Sequence, residues 1–284
     1  MPKVSVLMPV YNTNHAYLRQ AIESILSQTF EDFEFLILND HSTDFQIEKI
    51  IKSFQDVRIK YYNNKKNLGI SGARNKLLDL AQGEYLAIMD HDDISLPERL
   101  QKQVDYLDKH PDVGAVGSAH GHIGRNDIFH RPISNKKIRE TIFFVCPLHH
   151  PTTMLRKEVL TQNNIRYEED FTPAEDYMLW VRLMDVTKLH NLPDVLFIYR
   201  DNYENTTHKD LNFMFSQAAK VQKTVINKHR ELYAFCKAKK KLKKHLKHLL
   251  LPLAKTLCWL TEPFAILYHL LKTVYLAILC RFKN

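Results

Sequence analysis

Short apolar runs alternate with amphipathic stretches over the first 120 residues, and few folds accommodate that pattern. The run KVSVLMPV at 3–10 is rich in β-branched residues and apolar on both faces, as in a strand buried on both sides. Apolar residues recur with helical spacing at 15–28, and FEFLILND at 33–40 indicates a second buried strand. This order predicts an α/β fold with a mostly parallel sheet and flanking helices.

The remaining elements follow from the same periodicity. Up to residue 120 the pattern predicts three more helices and three more strands: helices at 44–54, 70–81 and 97–109, and strands at 57–62, 84–90 and 113–118. Beyond residue 120 it is less regular and predicts helices at 135–145, 175–185 and 209–230, with strands at 152–155, 187–190 and 195–200. We divide the chain into a domain at 1–235, with halves 1–118 and 119–235, and a tail at 236–284.

Positive charge is concentrated at the C-terminal end of the chain. The formal charge is +8, but residues 237–284 hold ten lysines, one arginine and one acidic residue. Residues 1–236 are therefore slightly acidic overall. Proteins that bind nucleic acid usually spread basic residues over the folded body, so we expect no nucleic-acid partner and a tail that binds a surface.

Polar segments follow three of the predicted strands at the points where those strands end. They are PVYN at 9–12, NDHSTD at 39–44 and DHDD at 90–93. In open α/β sheets, ligands bind beyond the carboxyl ends of the strands, near the point where the strand order reverses. The three segments are therefore predicted to form one site.

The segment DHDD carries the clearest chemistry. Its three carboxylates repel one another unless a cation or a proton lies among them. Mg²⁺ and Mn²⁺ prefer oxygen ligands, and one or two carboxylates with substrate phosphates commonly complete such a site. The alternative is a solvated acidic turn before a helix cap at Ser95. A dinucleotide site is excluded because no glycine-rich loop follows the first strand.

Together these segments resemble glycosyltransferase family 2. The matching blocks, in chain order, are PVYN at 9–12, ILSQTF at 25–30, NDHSTD at 39–44, NLGISGARN at 67–75 and DHDD at 90–93. The resemblance covers roughly residues 3–200. It implies an inverting enzyme of the bacterial surface-polysaccharide type, with the GT-A fold and a nucleotide-diphospho-sugar donor.

The resemblance also implies roles for individual residues in the donor site. Pro9, Tyr11 and Asn12 would line the nucleotide cleft, and Asp40 would hydrogen-bond the uracil of a UDP-sugar. Arg74 would lie over the base or the diphosphate. The alternatives are a turn residue at Asp40 and a surface cation at Arg74.

The same resemblance implies that the acidic segment binds both the donor and the metal. Asp90 and Asp92 would contact the nucleotide-sugar, while Asp92 and Asp93 match the ribose- and metal-contacting pair, with Asp93 as the direct ligand of Mn²⁺ or Mg²⁺. The family often has Asp where this chain has Asn39, and since Asp40 is intact we expect altered tuning with binding retained.

A second block, PAEDYMLWVRL at 173–183, opens an amphipathic helix with Glu175 and Asp176. These two match the family's Glu-Asp pair, in which the aspartate is the general base. An inverting transfer needs one base to accept the proton of the acceptor hydroxyl and no covalent nucleophile. The alternative is a pair of acids placed in a first helical turn by the helix dipole.

The sequence leaves the roles of several histidines open. The family commonly has a histidine two residues after YR at 199–200, where this chain has Asn202, and His208 follows, so the third metal ligand is undecided. His149 or His150 faces the diphosphate or packs in the core. A zinc site lacks a second ligand pair, so we expect surface or core roles for His120, His122 and His130.

The C-terminal tail has the pattern of a membrane-surface helix. Residues 237–247 carry seven lysines, and leucines at 242, 246, 249, 250 and 253 share one helical face. The apolar run 264–280 has 17 residues and includes His269 and Lys272, so a membrane span is disfavoured. The alternatives are a helical hairpin packed on the body or on a second subunit as a homodimer.

These observations predict a metal-dependent inverting glycosyltransferase. It would move a UDP-hexose or UDP-N-acetylhexosamine sugar to a hydroxyl of a growing glycan such as lipopolysaccharide or capsule. The N-terminus lacks the features of a signal peptide, so we expect a cytoplasmic protein on the inner face of the cytoplasmic membrane. The alternatives are a polyprenyl-phosphate sugar synthase of the same fold and a non-catalytic membrane tether. The sugar, the acceptor and the linkage are not determined by these motifs.

Overall fold

The computed structural model describes residues 1–201, 210–241 and 244. The described residues fall into two units, one within Met1–Lys228 and one that begins at His229. Several sequence predictions fall outside the described residues: the roles of Asn202 and His208, the leucine face of the tail and the apolar run 264–280.

The first unit is built on a nine-stranded sheet within its described residues. The strands are β1 (Val4–Val10), β2 (Phe33–Asn39), β3 (Ile59–Asn63), β4 (Tyr85–Ile88), β5 (Ile94–Ser95), β6 (Val113–His122), β7 (Ile128–Phe129), β8 (Met154–Arg156) and β9 (Lys188–Tyr199). Their order is β3-β2-β1-β4-β8-β6-β9-β5, and β7 pairs with β6. Strands β5, β7 and β8 run antiparallel to their neighbours, and the other pairings are parallel. The prediction of a mostly parallel sheet with flanking helices is confirmed.

Eight α-helices accompany the sheet in the described part of this unit. They are α1 (His15–Leu26), α2 (Gln46–Lys52), α3 (Gly69–Leu80), α4 (Arg99–Lys109), α5 (Asn135–Thr141), α6 (Lys157–Gln162), α7 (Glu175–Leu183) and α8 (Leu211–Lys228). The start of α1 is set by Asn14, whose side chain accepts hydrogen bonds from the backbone N–H groups of Ala16 and Tyr17.

The core lies on both faces of the parallel half of the sheet. All residues of β1 and β2 are buried, as their continuous apolar runs predict. Helix α1 supplies Leu18, Ile22 and Ile25 to one cluster with these strands, and α4 supplies Leu100 and Leu107 to the same cluster. Because both faces of the sheet are packed, the polar residues lie at its carboxyl edge.

The second half of the sheet differs from the prediction in detail. The two strands expected at 187–190 and 195–200 form one strand, β9, which pairs with β6 on both sides of a local interruption. Its register shifts where Ser118 pairs with Leu192 and Ala119 pairs with Val195. Pro193, which has no N–H to donate, lies within that shift and explains why the sequence pattern is interrupted there. The short elements β5, β7 and α6 are too brief for periodicity to reveal.

Residues 230–241 of the second unit are helical. Two lysines of this helix each place the side-chain ammonium near the aromatic ring four residues earlier. These pairs are Lys237 with Tyr233 and Lys239 with Phe235, each 5.9 Å from nitrogen to ring centroid. In the part of the chain that the structure describes, no helix has the length and apolar character needed to cross a lipid bilayer.

Candidate active site

The loops that follow β1 and β2 are joined at the carboxyl edge of the sheet. The backbone N–H of Asp40 donates to the carbonyl of Val10 (2.8 Å), and the Asn12 side-chain oxygen accepts from the N–H of Thr43 (2.9 Å). Asn12 has a φ of 44°, a left-handed conformation that Asn tolerates better than most residues. Pro9 is buried within β1, whereas Tyr11 is about half exposed beside it.

Asp40 is buried directly after β2. Its carboxylate accepts hydrogen bonds from the Asn64 side-chain amide (2.6 Å) and from the backbone N–H of Leu68 (3.0 Å). Asn39, beside it, accepts from the N–H of Ser42 (3.0 Å) through its side-chain oxygen. Asp40 therefore orders the segment that leads into α3. Its hydrogen bond to the uracil of a UDP-sugar stays a prediction.

Arg74 on α3 is buried and links two parts of the predicted site. Its guanidinium donates to the carboxylate of Glu175 at 2.5 Å and lies 3.5 Å from a carboxylate oxygen of Asp90. The surface position considered as the alternative for Arg74 is wrong, because only 8% of the residue is exposed. This arrangement ties the start of α7 to the acidic segment after β4.

The three carboxylates of DHDD lie at different depths. The side chains of Asp90 and Asp92 are 28% and 19% exposed, while Asp93 is completely buried. One oxygen of Asp93 accepts the backbone N–H of Arg200 at 2.7 Å. Burial raises the pKa of Asp92, and Asp90 adds to the effect; burial and then Asp92 and Asp90 raise the pKa of Asp93 well above its usual range.

This acidic cluster fits a divalent cation. The second carboxylate oxygen of Asp93 is buried without a hydrogen-bond partner, and a cation would offset the repulsion among the three acids. Within the described residues, no three His, Cys, Asp or Glu side chains are arranged to bind a metal by themselves. This is expected of a metal site that has only one or two carboxylates from the protein and is completed by the phosphates of the substrate.

Arg200 is a residue of this site that the sequence motifs did not single out. It follows β9, donates from Nε to the carbonyl of Asp92 (2.7 Å) and stacks its guanidinium 3.9 Å from the Tyr17 ring centroid. Together with the backbone bond to Asp93, these contacts hold the DHDD turn in place. Its position after a parallel strand is the signal that identifies it, since the same rule located the three polar segments.

Asp176 lies in the first turn of α7, where Glu175 precedes it. One carboxylate oxygen accepts from the backbone N–H of Tyr177 (2.6 Å), and the other is 3.9 Å from the sulfur of Cys146. Burial, with the repulsion of Glu175, raises the pKa of Asp176 to about 7. A carboxylate with that pKa is well suited to accept a proton near neutral pH.

The histidines near this edge pack against aromatic rings. His150 is buried and hydrogen-bonds the hydroxyl of Tyr167 (2.8 Å), whereas His149 stacks on His120 with ring centroids 4.1 Å apart. His122 stacks on Phe129 at 4.4 Å. The prediction that His149 or His150 faces a diphosphate stays untested.

Solved structures share this architecture. The TarS segment 1–349 of S. aureus, in complex with UDP-GlcNAc, matches 79% of this chain with a TM-score of 0.66 and 20% identity. The chain spans 66% of that TarS chain. A mannosyltransferase of Pyrobaculum calidifontis, in complex with GDP-Man and Mn²⁺, matches 98% of this chain and 86% of its own length, with a TM-score of 0.59 and 17% identity. At these identities the likeness shows the fold, which is GT-A.

Sequence comparisons show the family. Residues 5–163 match the profile of glycosyl transferase family 2. An uncharacterized glycosyltransferase of Methanocaldococcus jannaschii is 35% identical over 71% of this chain and 73% of its own. The O-antigen biosynthesis glycosyltransferase WbnJ of Escherichia coli is 31% identical over 83% of this chain and 96% of its own. The chain therefore belongs to glycosyl transferase family 2, and it is a glycosyltransferase.

Proposed function

We propose that this protein is a metal-dependent inverting glycosyltransferase that moves a sugar from UDP to a hydroxyl of a bacterial surface glycan. The observation that carries the proposal is the position and pKa of Asp176. Asp176 follows Glu175, which Arg74 joins to Asp90 of the acidic segment, and its pKa of about 7 suits a general base.

The transfer step follows from this assignment. The acceptor hydroxyl oxygen attacks the anomeric carbon of the donor sugar while its proton passes to the Asp176 carboxylate. The bond from the anomeric carbon to the diphosphate oxygen breaks, and the nucleoside diphosphate leaves with that electron pair. Because one displacement occurs, the anomeric configuration is inverted. Glu175, paired with Arg74, orients the start of α7 and leaves the proton transfer to Asp176.

Asp92 and Asp93 are the residues that would hold the metal. A bound Mn²⁺ or Mg²⁺ would neutralise negative charge on the departing diphosphate. Asp93 keeps the direct role predicted for it, since one of its carboxylate oxygens has no hydrogen-bond partner, and the partly exposed Asp92 would contact the metal or the ribose beside it. Arg200 holds the turn that carries both residues through its contacts with Asp92 and Asp93.

The assignment of a UDP donor is supported by the loops after β1 and β2. Pro9, Tyr11, Asn12 and Asp40 lie at one end of neighbouring parallel strands, where a nucleotide binds in such sheets. The TarS structure with UDP-GlcNAc supports the same donor class, while the mannosyltransferase structure names GDP-Man. Both nucleotides therefore belong in the donor test.

A surface-glycan acceptor and a membrane location complete the proposal. One relative supports the acceptor class by name, the O-antigen biosynthesis glycosyltransferase WbnJ. The putative glycosyltransferase EpsE of Bacillus subtilis, which is 31% identical over 76% of this chain and 80% of its own, supports the reaction class. The lysine-rich segment at 237–247 supports attachment to the inner face of the cytoplasmic membrane.

A thermal-shift screen of nucleotide-sugars with Mn²⁺ tests the donor. A UDP-sugar at about 100 times its Kd should stabilise the protein by about 2.7 kcal/mol, and GDP-mannose should not. A shift with GDP-mannose alone would contradict the UDP assignment.

Release of UDP from the selected donor then tests catalysis. UDP-sugar hydrolysis by the full chain separates an enzyme from a non-catalytic tether. Loss of transfer in Asp176→Asn separates hydroxyl transfer from transfer to a polyprenyl phosphate, whose anionic oxygen needs little assistance from a base.

A further inference from the structure

Arg131 and the candidate base Asp176 both contact Cys146. The Nη1 of Arg131 donates to the backbone carbonyl of Cys146 (3.4 Å), and the sulfur of Cys146 is 3.9 Å from Asp176. Arg131 is half-buried, and its Nε is buried without a hydrogen-bond partner in the described part of the chain. No carboxylate in residues 1–201, 210–241 or 244 forms an ion pair with it.

The groups around Arg131 do not neutralise its charge. Burial, with the positive charge of Arg131, lowers the pKa of His120 to about 4. Burial lowers the pKa of His149 well below its usual range, with His120 and Arg131 contributing in that order. Both imidazoles are therefore neutral at pH 7, and each has a buried ring nitrogen without a partner. A guanidinium in such surroundings favours an anion as its partner.

The two imidazoles whose pKa values Arg131 lowers belong to an aromatic cluster at the carboxyl edge of the sheet. His120 and His122 come from the end of β6, and Tyr199 ends the neighbouring parallel strand β9. His149 stacks on His120 and meets Tyr199 edge-on, with ring centroids 5.2 Å apart. Phe129 is 40% exposed and covers His122. An exposed aromatic face of this kind accommodates the apolar face of a sugar ring.

From this arrangement we propose that Arg131 and the exposed ring of Phe129 form an acceptor subsite for a sugar that carries an anionic group, either a carboxylate or a phosphate. The guanidinium binds the anion, and the aromatic ring supports the sugar. The hydroxyl to be glycosylated then lies toward Asp176, because Cys146 connects the two groups. This inference rests on the proposed function, since it names the class of acceptor for the same site.

Binding to the full chain in the presence of excess UDP and Mn²⁺ tests the proposal. UDP fills the donor site, so that a second anion cannot bind there. Three probes are titrated: methyl β-glucuronide, glucose 6-phosphate and the neutral methyl β-glucoside. At least one acidic probe should bind about 10–100 times more tightly than the neutral one, the range expected of a charge-assisted hydrogen bond. The carboxylate and phosphate probes separate the two anion classes.

Substitutions assign the effect to Arg131. Arg131→Gln should remove the preference for the acidic probe, and Arg131→Lys should retain part of it because the charge remains. Arg139→Gln is the matched control: Arg139 is also half-buried and donates to a backbone carbonyl, that of Met184 at the opposite end of α7. This variant should keep the full preference. Phe129→Ala should weaken the binding of all three probes alike.

Different results would contradict different parts of the proposal. Equal binding of acidic and neutral probes, or no binding of the acidic probes at 10 mM, overturns the subsite. A preference that survives Arg131→Gln overturns the role of Arg131. Weaker UDP binding in Arg131→Gln would place this residue in the donor site and also contradicts the proposal. The proposed function fails in a different way, when the wild-type protein neither binds nor hydrolyses any nucleotide-sugar.

Discussion

At the scale of single residues, Asp176 determines how activity should depend on pH. Its pKa is raised to about 7, chiefly by burial. A general base acts in its ionised form, so turnover should fall as the pH drops through about 7 and level off above it. The measurement is kcat/KM for UDP release between pH 5.5 and 9, with the melting temperature followed at each pH as a control for unfolding.

Replacing the same residue separates its role from that of the donor site. Asp176→Asn should lower kcat by about 10²–10⁴, the usual contribution of general-base assistance. The donor KM should change little, because Asp176 serves the acceptor. A collapse of donor affinity in this variant would instead make Asp176 a ligand of the nucleotide or the metal.

The metal assignment gives a second prediction for single residues. Asp93→Asn keeps an oxygen that accepts the Arg200 N–H and removes one charge from a repelling cluster. We expect loss of transfer with an unchanged or higher melting temperature in the absence of metal. Asp92→Asn should also lose transfer and should lower the affinity for Mn²⁺. Full activity of Asp93→Asn at saturating Mn²⁺ would exclude a metal role for that residue.

At the scale of helices and strands, the Arg74–Glu175 pair joins α3 to α7. Both side chains are buried, at 10% and 6% exposure, so removing one charge leaves the other without its main partner. Breaking a buried pair in this way costs about 3–5 kcal/mol, and Asp90 near Arg74 favours the lower end. Glu175→Gln should therefore lower the free energy of unfolding measured in urea.

A surface pair on the same helix provides the control. Asp79 on α3 pairs with Arg166, and both side chains are about half exposed. Asp79→Asn should change stability little, because exposed ion pairs contribute weakly. Equal effects of Asp79→Asn and Glu175→Gln would show that the buried pair has no special structural role.

At the scale of the whole chain, the tail should bind membranes through its charge. Each lysine near an anionic surface contributes about 1 kcal/mol, and residues 237–247 contain seven of them. Full-length protein should sediment with anionic liposomes and be partly released by salt, which screens such attraction over about 10 Å. Replacing lysines with glutamine should weaken sedimentation without lowering the melting temperature; the positions are 239, 240, 241, 243 and 244.

Truncation distinguishes this role from internal packing. A chain that ends at Ala234 should stay folded, remain in solution without detergent and turn over a water-soluble acceptor. If the tail packs on the body or on a second subunit, the truncated protein should aggregate or melt several degrees earlier. Aggregation of the short chain, together with no liposome binding by the full chain, would contradict membrane attachment.

Local pattern was sufficient for the fold class and for much of the first half of the sheet. Buried parallel strands need apolar residues on both faces, so β1 and β2 stand out as continuous runs, and the polar segments that follow them mark the carboxyl edge. The division of β9 into two predicted strands failed because Pro193 interrupts the ladder locally, while pairing with β6 continues on both sides. Periodicity detects only what repeats within a window.

Amino-acid order alone determined the alternation of strands and helices, the acidic segment at 90–93 and the acids that open α7. Tertiary structure decided which side chains meet. Arg99 starts a helix like any surface arginine, yet it is fully buried and donates to the carbonyls of Ile88 and Thr153. Arg74 meets Glu175 across 101 residues of chain, Arg200 meets Asp93 across 107, and Arg131 and Asp176 both contact Cys146. Such contacts depend on how strands far apart in sequence are ordered in the sheet, and long-range order of that kind leaves no periodic signal in the chain.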